Sequence, residues 1–572
     1  MPERVLLLGD DLRAFLAIAR SLGRRGVEVH AAPSDFSSPA LKSRYIAAAH
    51  RLPPYPLDPM AWEAALARLI DEQGFRKVVP TSDSGLFMLR HHAEALGRER
   101  IGIANEEALE IFSDKANTRA LAESHGVAVA RGRLLGSAED PQALAASLGL
   151  PLVLKPRASY ALGDIAMKRS ARVVRDEAEL SRQLRSGAWD GCVAESFFPG
   201  VGVGLSVLAH DGRILLAYQH RRLFESSETG ASTKRVSEPA DPALIAAARP
   251  LAAAARLDGV AMFEFRVDRG SGRHVLLEVN PRFWGSLPLA VAAGADFPAL
   301  WWELAVHGRE GEGAYRAGIV KADLTGEFNR VVDRFEESSG SRRLSAAAAG
   351  LATAAMVALA RGTADSWAAD DPEPWREERR TLAFRARRAF RKRFPALARR
   401  DRTRFEDVVR RLSEKAAGRP LRLSLVGREN ICRSAFGEQL LRLRLAGLPV
   451  ELSSVGYVPK RSAVPSSSTI AAAAQFGIDL AGHGSTPLSA GDLERADALI
   501  LFDDDTEWRL RQMSPDFRAE VVTLPGIEGA GPEAFPAIAA ALTRLAGALQ
   551  DRLAPLPQEP AAVPGTPCRQ AA

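Results

Sequence analysis

Short apolar runs alternate with helical patterns over the first 105 residues. Residues 5–8 form an apolar run, residues 12–22 have helical spacing, and residues 27–29 and 77–80 are further apolar runs. Parallel strands need a crossover connection, which is usually a helix. This alternation therefore predicts an α/β domain with a parallel sheet covered by helices.

The pattern changes further along the chain. Residues 204–209 and 214–220 flank the turn Asp211-Gly212 as a hairpin would, which predicts an α+β body. A chain of 572 residues is also too long for one compact core. The predicted domains are residues 1–105, 106–310 (α+β), 311–420 (a basic helical linker), 421–550 (a second, doubly wound parallel α/β domain) and 551–572 (a disordered tail).

Composition limits the class of protein. With 46% hydrophobic and 26% charged residues, the chain is typical of a soluble globular protein. Cys192, Cys432 and Cys568 lie far apart and lack histidine neighbours, so neither a disulfide framework nor a zinc site is predicted. Residues 344–360 are alanine-rich and predict a buried or surface helix rather than a membrane span. A cytoplasmic protein without a transmembrane span is expected.

Positive charge is concentrated in one segment. Between Arg376 and Arg422 the chain has 18 Lys and Arg against six Asp and Glu, whereas its whole net charge is +6. The remainder is therefore acidic, and nucleic-acid binding is not predicted. The segment fits either a solvated helical linker or a surface for an anionic partner.

A pair of predicted strands carries the main candidate site. Phe263-Glu264-Phe265 precedes the run 276–282, which contains Glu278, Asn280 and Arg282. Residues two apart on a strand face the same side, so Glu264, Glu278 and the amide oxygen of Asn280 can converge. Two carboxylates and one amide oxygen suit Mg²⁺. Arg282 could stabilise a phosphate in transfer.

Two lysines and an aromatic strand end precede this pair. Lys115 and Lys155 are point charges suited to nucleotide phosphates. The stretch 193–200 could read an adenine edge with its backbone near Glu195, while Phe197 or Phe198 packs on the ring.

The order of these residues along the chain resembles that of the ATP-grasp superfamily, and the resemblance covers about residues 1–310. The resemblance implies a Rossmann-like first domain, a central domain that supplies Lys115 and Lys155, and a third lobe that supplies the metal ligands. It also implies a carboxylate-amine (or thiol) ligase that uses ATP with Mg²⁺ or Mn²⁺ and small-molecule carboxylate and amine substrates. A lid at 157–168 and an acceptor loop at 220–233 are expected. The family's ribose-binding carboxylate has no counterpart between Gly200 and Gly204.

A second loop predicts an anion site. Residues 425–434 lie between a strand and a helical pattern, where amide N–H groups and a helix N-terminus face an anion. The run Asn430-Ile431-Cys432-Arg433-Ser434 resembles the loop of low-molecular-weight protein tyrosine phosphatases, and the resemblance extends over residues 420–550. Gly427 stands at the family's nucleophile position, and Glu429 stands at its glycine position.

This substitution predicts a phosphatase-like domain without phosphatase activity. Glycine offers no thiolate, and the residues from Ile527 to Glu533 contain no Asp-Pro pair for acid catalysis. The domain would then bind a protein partner or regulate the ligase. Two other hypotheses remain open: a phosphatase with an ATP-sensing N-terminal half, in which Cys432 is the nucleophile, and a scaffold without catalysis.

Overall fold

The chain divides into two compact units, Met1–Ala389 and Phe390–Ala572. The computed structural model describes residues 2–55, 58–137, 139–160, 169–225, 232–337, 362–393, 402–416, 419–458, 463–503, 506–507, 509–510, 517–524, 527, 529 and 531–553. The predicted alanine-rich helix at 344–360 and almost all of the predicted tail lie outside these residues.

The first sheet of the N-terminal unit is parallel, as predicted. Its strands are β1 (Arg4–Leu8), β2 (Glu28–Ala32), β3 (Ile46–Ala49) and β4 (Lys77–Pro80), in the order β3-β2-β1-β4. Helix Ala14–Arg24 connects β1 to β2, and helix Pro59–Gln73 connects β3 to β4. The latter helix begins after Asp58, whose carboxylate caps the Ala61 N–H, and ends at Gly74 with a φ of 64°.

A small antiparallel sheet follows. Its strands are β5 (Gly132–Leu134), β6 (Leu152–Lys155), β7 (Arg172–Val174) and β8 (Val193–Ser196), in the order β5-β8-β6-β7. Helices Pro141–Leu148 and Glu177–Arg185 lie between its strands in sequence, and helices Glu106–Phe112 and Lys115–Ser124 precede it. Helix Lys115–Ser124 is capped by the Asp114 side chain, which accepts from the Ala116 N–H, so Lys115 lies in the first turn.

The largest sheet is antiparallel and carries the candidate site. Its strands are β9 (Val201–His210), β10 (Arg213–Glu225), β11 (Ser232–Glu238), β12 (Gly259–Val267), β13 (His274–Asn280) and β14 (Val320–Ala322), in the order β13-β12-β9-β10-β11-β14. Asp211 and Gly212 both have positive φ, at 44° and 78°, and form the predicted turn between β9 and β10. Phe263 and Phe265 point into a buried core, so the alternate residue Glu264 faces the other side.

The region expected to be a helical linker is more varied. Val320–Ala322 is the edge strand β14, and Ala364 forms a parallel bridge with Ala322. Helix Leu324–Glu337 follows in the first unit, helix Glu373–Arg393 begins there and extends past its last residue, Ala389, and helix Arg402–Lys415 belongs to the second unit. A strand of three residues is too short to show a periodic pattern. The domain limits given above remain predictions.

The second unit contains the predicted doubly wound parallel sheet. Its strands are β15 (Leu421–Gly427), β16 (Val450–Gly456), β17 (Ala498–Leu501) and β18 (Glu520–Thr523), in the order β16-β15-β17-β18. All neighbouring pairs are parallel. The helices besides Arg402–Lys415 are Arg433–Arg444, Ser467–Ala474, Ala490–Arg495 and Phe535–Gln550.

Among the described residues, no single helix is long and apolar enough to cross a membrane. The helices Leu287–Ala293 and Phe297–His307, which meet at a bend of 93°, reach that length and composition only as a pair.

Candidate functional site

Glu264 and Glu278 are direct cross-strand neighbours on β12 and β13. Asn280 lies two residues beyond Glu278, and its Nδ2 is 3.4 Å from Glu264 Oε1 and 3.4 Å from Glu278 Oε1. The structure thus brings the three predicted metal ligands together. Within the described residues, no group of three or more His, Cys, Asp or Glu lies close enough to hold a metal.

Two basic side chains compensate the two carboxylates. Lys115 Nζ lies 3.1 Å from Glu278 Oε2, and Arg222 Nη2 lies 2.5 Å from Glu264 Oε2. Like charges directly opposite on a sheet are destabilising, and these cations offset that repulsion. Burial would raise the pKa of Glu278, but Lys115 and Lys155 outweigh it and lower the pKa to about 2. Glu278 is therefore ionised at neutral pH.

The side-chain oxygens of Glu264, Glu278 and Asn280 could together bind a hard cation once the Asn280 amide rotates. Asn280 directs its amide nitrogen to the carboxylates, while its oxygen accepts from Arg282 Nη2 at 3.2 Å. A half-turn of the amide would direct its oxygen to the carboxylates and complete a set of oxygen ligands suited to Mg²⁺.

Arg282 contacts a residue that follows strand β4 of the parallel sheet. Its Nε donates to Asp83 Oδ1, at the start of helix Asp83–His91, and its Nη1 donates to Phe283 O at 2.9 Å. Burial would lower the pKa of Arg282, but the Asp83 carboxylate raises it, so the guanidinium stays charged. Sequence reasoning missed Asp83, which lies 199 residues before Arg282.

Lys155 and Glu195 form a buried ion pair. Lys155 Nζ is 2.5 Å from Glu195 Oε2 and 3.2 Å from Leu277 O. Glu195 Oε1 accepts from Arg119 Nη1 at 3.1 Å, a contact that sequence reasoning also missed. In the structure Glu195 thus acts as a counter-ion to Lys155, next to the strand that carries Glu278.

The predicted adenine-reading segment is partly engaged in other contacts. Strand β8 pairs with β5 on one side and β6 on the other. The Ser196 N–H donates to Arg131 O at 2.7 Å and the Phe197 N–H to Pro151 O at 3.2 Å. These two donors are therefore not free to bind an adenine edge. Phe197 is 37% exposed, and the Arg273 guanidinium lies 5.6 Å from the Phe198 ring centre.

Most of the predicted lid and part of the predicted acceptor loop lie outside the described residues, which exclude 161–168 and 226–231. On the described side of the acceptor loop, His220 is buried, and its Nε2 lies 3.2 Å from Ser286 Oγ.

The phosphatase-like loop retains a well-bonded scaffold. Asn430 adopts a left-handed conformation with a φ of 55°. Its Nδ2 donates to Ser454 O at 2.9 Å, its Oδ1 accepts from Ser434 Oγ at 2.9 Å, and its carbonyl oxygen lies 2.7 Å from His483 Nε2. Asn430 and Ser434 are both buried. The loop shape is therefore fixed by buried side-chain hydrogen bonds.

The reactive groups of this loop are altered. A Cβ added at Gly427 would lie 2.5 Å from Ser434 Oγ, so the hydroxyl lies where a side chain at 427 would begin. Burial raises the pKa of the Cys432 thiol, although Thr469 and Arg433 act in the opposite direction. Arg433 Nη1 lies 3.4 Å from Asp503 Oδ2. The thiol is therefore neutral at pH 7, and the arginine already faces a carboxylate.

Comparisons with known families match both halves of the chain. A family model described as "ATP-grasp in the biosynthetic pathway with Ter operon" matches residues 192–326. A model described as "Low molecular weight phosphotyrosine protein phosphatase" matches residues 422–528. The two resemblances predicted from the sequence are confirmed: an ATP-grasp family model matches part of the N-terminal half, and a low-molecular-weight phosphatase model matches part of the C-terminal region.

The curated relatives found are low-molecular-weight phosphatases that match a small part of this chain. The low-molecular-weight protein-tyrosine-phosphatase Etp of Escherichia coli is 30% identical over 93 residues, which are 16% of this chain and 62% of Etp. The probable phosphatase EpsP of Ralstonia nicotianae is 29% identical over 99 residues, which are 17% of this chain and 67% of EpsP.

Solved structures with similar folds cover just over half of this chain. An L-amino acid ligase from Bacillus licheniformis has a TM-score of 0.45 and 18% identity, covering 56% of this chain and 80% of the ligase. A biotin carboxylase from Campylobacter jejuni has a TM-score of 0.46 and 17% identity, covering 56% of this chain and 75% of the carboxylase.

Proposed function

We propose that the first unit is an ATP-dependent ligase that activates a small carboxylate for attack by an amine or similar nucleophile. The convergence of Glu264, Glu278 and Asn280 beside Lys115 is the observation that carries the proposal. Clustered carboxylates flanked by lysines suit a nucleotide bound with Mg²⁺ or Mn²⁺. The matched family description, which names a biosynthetic pathway, supports a small-molecule substrate.

The proposed reaction has two steps. A substrate carboxylate oxygen attacks the γ-phosphorus of ATP, and ADP leaves. The amine nitrogen then attacks the carbonyl carbon of the acyl phosphate, releases inorganic phosphate and loses a proton. Lys115, Lys155 and Arg282 would hold phosphate oxygens, and Glu264, Glu278 and Asn280 would hold the metal. The metal supplies charge neutralisation at the phosphates.

The test is ADP release by the full-length protein with MgATP and a panel of carboxylates and amines. Release that depends on both substrates is expected. Glu278→Ala should abolish this release, whereas Glu310→Ala should keep it, because Glu310 pairs with Arg213 outside the metal ligand set. If calorimetry detects no MgATP binding to the wild-type protein, the ligase proposal fails and the scaffold hypothesis takes its place.

We further propose that the C-terminal domain does not hydrolyse phosphate esters. Gly427 lacks a nucleophile, and Arg433 faces Asp503. Neither the wild-type protein nor Cys432→Ser should turn over p-nitrophenyl phosphate. Turnover by the wild type that Cys432→Ser abolishes would instead identify Cys432 as a nucleophile and support the phosphatase hypothesis.

A further inference from the structure

Arg222 reaches the predicted metal site across a neighbouring strand. It lies on β10, whereas its partner Glu264 lies on β12, with β9 between them. A Cβ added at Gly202 of β9 would lie 2.6 Å from Arg222 Cδ. The missing side chain at Gly202 therefore lets the arginine cross β9 and place its guanidinium against Glu264.

Each of the four carboxylate oxygens of the acidic pair already faces a donor. Glu264 Oε1 and Glu278 Oε1 each lie 3.4 Å from Asn280 Nδ2. Glu264 Oε2 lies 2.5 Å from Arg222, and Glu278 Oε2 lies 3.1 Å from Lys115. A divalent cation needs these same oxygens as ligands. Entry of the cation would leave the Arg222 and Lys115 side chains close to it in a partly buried site, where repulsion between charges is less screened than in bulk water.

We propose that Arg222 and Lys115 are internal counter-ions that exclude a divalent cation until nucleotide phosphates enter with it. The inference rests on the proposed ATP-dependent function of this site. Phosphate oxygens offer the two basic groups new partners, and the guanidinium fork is suited to such oxygens. Metal and nucleotide therefore bind as one complex, and the metal alone binds weakly. Arg222 is a positioning residue for Glu264 in this scheme.

The probe is Mn²⁺, whose free concentration is followed by its electron paramagnetic resonance signal in titrations of the full-length protein. Wild-type protein should bind Mn²⁺ alone at least about tenfold more weakly than Mn²⁺ with ADP, a difference of about 1.4 kcal/mol. Arg222→Gln should tighten the binding of Mn²⁺ alone by about tenfold, because a cation that opposes metal entry is removed. Arg222→Lys keeps the charge and should keep the exclusion.

Arg221→Gln is the matched control. Arg221 is the adjacent residue on β10, so it faces the other side of the sheet, where it lies 2.5 Å from Glu238. This variant should bind Mn²⁺ like the wild type. Thermal unfolding of each variant shows whether it is folded. If Arg222→Gln does not fold, Arg222→Lys still tests the proposal, because tight binding of Mn²⁺ alone by folded Arg222→Lys would contradict it.

The outcomes separate this inference from the ligase proposal. If wild-type protein binds Mn²⁺ alone as tightly as it does with ADP, or if folded Arg222→Gln binds Mn²⁺ alone no better than the wild type, the counter-ion role is wrong. MgATP binding in the same experiments would then still leave the ligase proposal intact. If no nucleotide binds at all, the ligase proposal fails, and the response of Mn²⁺ alone to Arg222→Gln still decides whether Arg222 opposes the metal.

Discussion

Glu378 is a buried carboxyl group that accepts hydrogen bonds from the hydroxyl groups of two nearby residues. It lies on helix Glu373–Arg393, where Oε1 accepts from Thr325 Oγ1 at 2.8 Å and Oε2 accepts from Ser366 Oγ at 2.5 Å. Burial is the largest cause that raises its pKa, and the charges of Asp323 and Asp365 act in the same direction. The hydroxyls of Ser366 and Thr325 lower the pKa, and the net result is a pKa of about 7. A proton on this carboxyl is therefore part of the folded state near neutral pH.

This proton predicts a pH-dependent stability. Below about pH 4.5 Glu378 is protonated in both the folded and the unfolded chain. As the pH rises from about 4.5 to 7, the unfolded chain loses the proton first, so the free energy of unfolding falls by on the order of 3 kcal/mol in total. Glu378→Gln cannot ionise, so its stability relative to the wild type should rise over this interval and then level off.

Urea unfolding of both proteins between pH 5 and 8 measures this difference. Glu377→Gln is the control, because Glu377 lies next in sequence and lies 2.8 Å from Arg380. If the difference between Glu378→Gln and the wild type does not change with pH, Glu378 is ionised in the folded protein.

At the scale of residues, the sequence could predict that the three candidate metal ligands lie together, but not which basic side chains lie against them. Glu264, Glu278 and Asn280 lie on two consecutive strands, so local pattern places them together. The partners Arg222 and Asp83 are 42 and 199 residues away from Glu264 and Arg282, respectively. Only the three-dimensional arrangement of the lobes brings such distant side chains into contact.

Among the elements, β9 requires glycine where it runs between β10 and β12. A Cβ added at Gly204 would lie 2.2 Å from His220 Cε1, a distance that real contacts do not reach. Gly204→Ala should therefore force β9 and β10 apart and lower the free energy of unfolding by about 1–3 kcal/mol. Urea unfolding checks this value. Gly362→Ala, where a Cβ meets nothing within 4 Å, should stay within about 0.5 kcal/mol of the wild type. A Gly204→Ala variant as stable as that control would show that the His220 ring can move aside.

Apolar strands could be predicted from the sequence, whereas short and polar strands could not. Residues 204–209 and 262–267, for example, lie within β9 and β12. Strand β11, with the sequence STKRVSE, is mostly polar, and β14 has three residues. Both are held by pairing with neighbouring strands, and a pattern of apolar residues does not show such pairing.

At the scale of the whole molecule, residues 364–371 connect distant parts of the first unit. Asp365 pairs with Arg235 of β11, and Asp371 lies 2.9 Å from Arg20 of helix Ala14–Arg24. Both acidic residues are buried. The segment thus links the large antiparallel sheet to a helix that covers the parallel sheet β1–β4. The sequence prediction included this segment in the helical linker 311–420, because buried ion pairs cannot be recognised without their partners.

Each unit has its own buried core, which predicts two separable unfolding transitions. Leu251 and Leu542 are fully buried, on helix Pro242–Ala254 of the first unit and helix Phe535–Gln550 of the second. Each change to alanine should lower the stability of its own unit by about 2–5 kcal/mol. Seven of the eight tryptophans precede residue 390, so tryptophan fluorescence reports mainly on the first unit. In urea, Leu251→Ala should shift the fluorescence transition, whereas Leu542→Ala should leave it in place and shift part of the circular dichroism transition. If both variants shift both signals equally, the two units unfold as one.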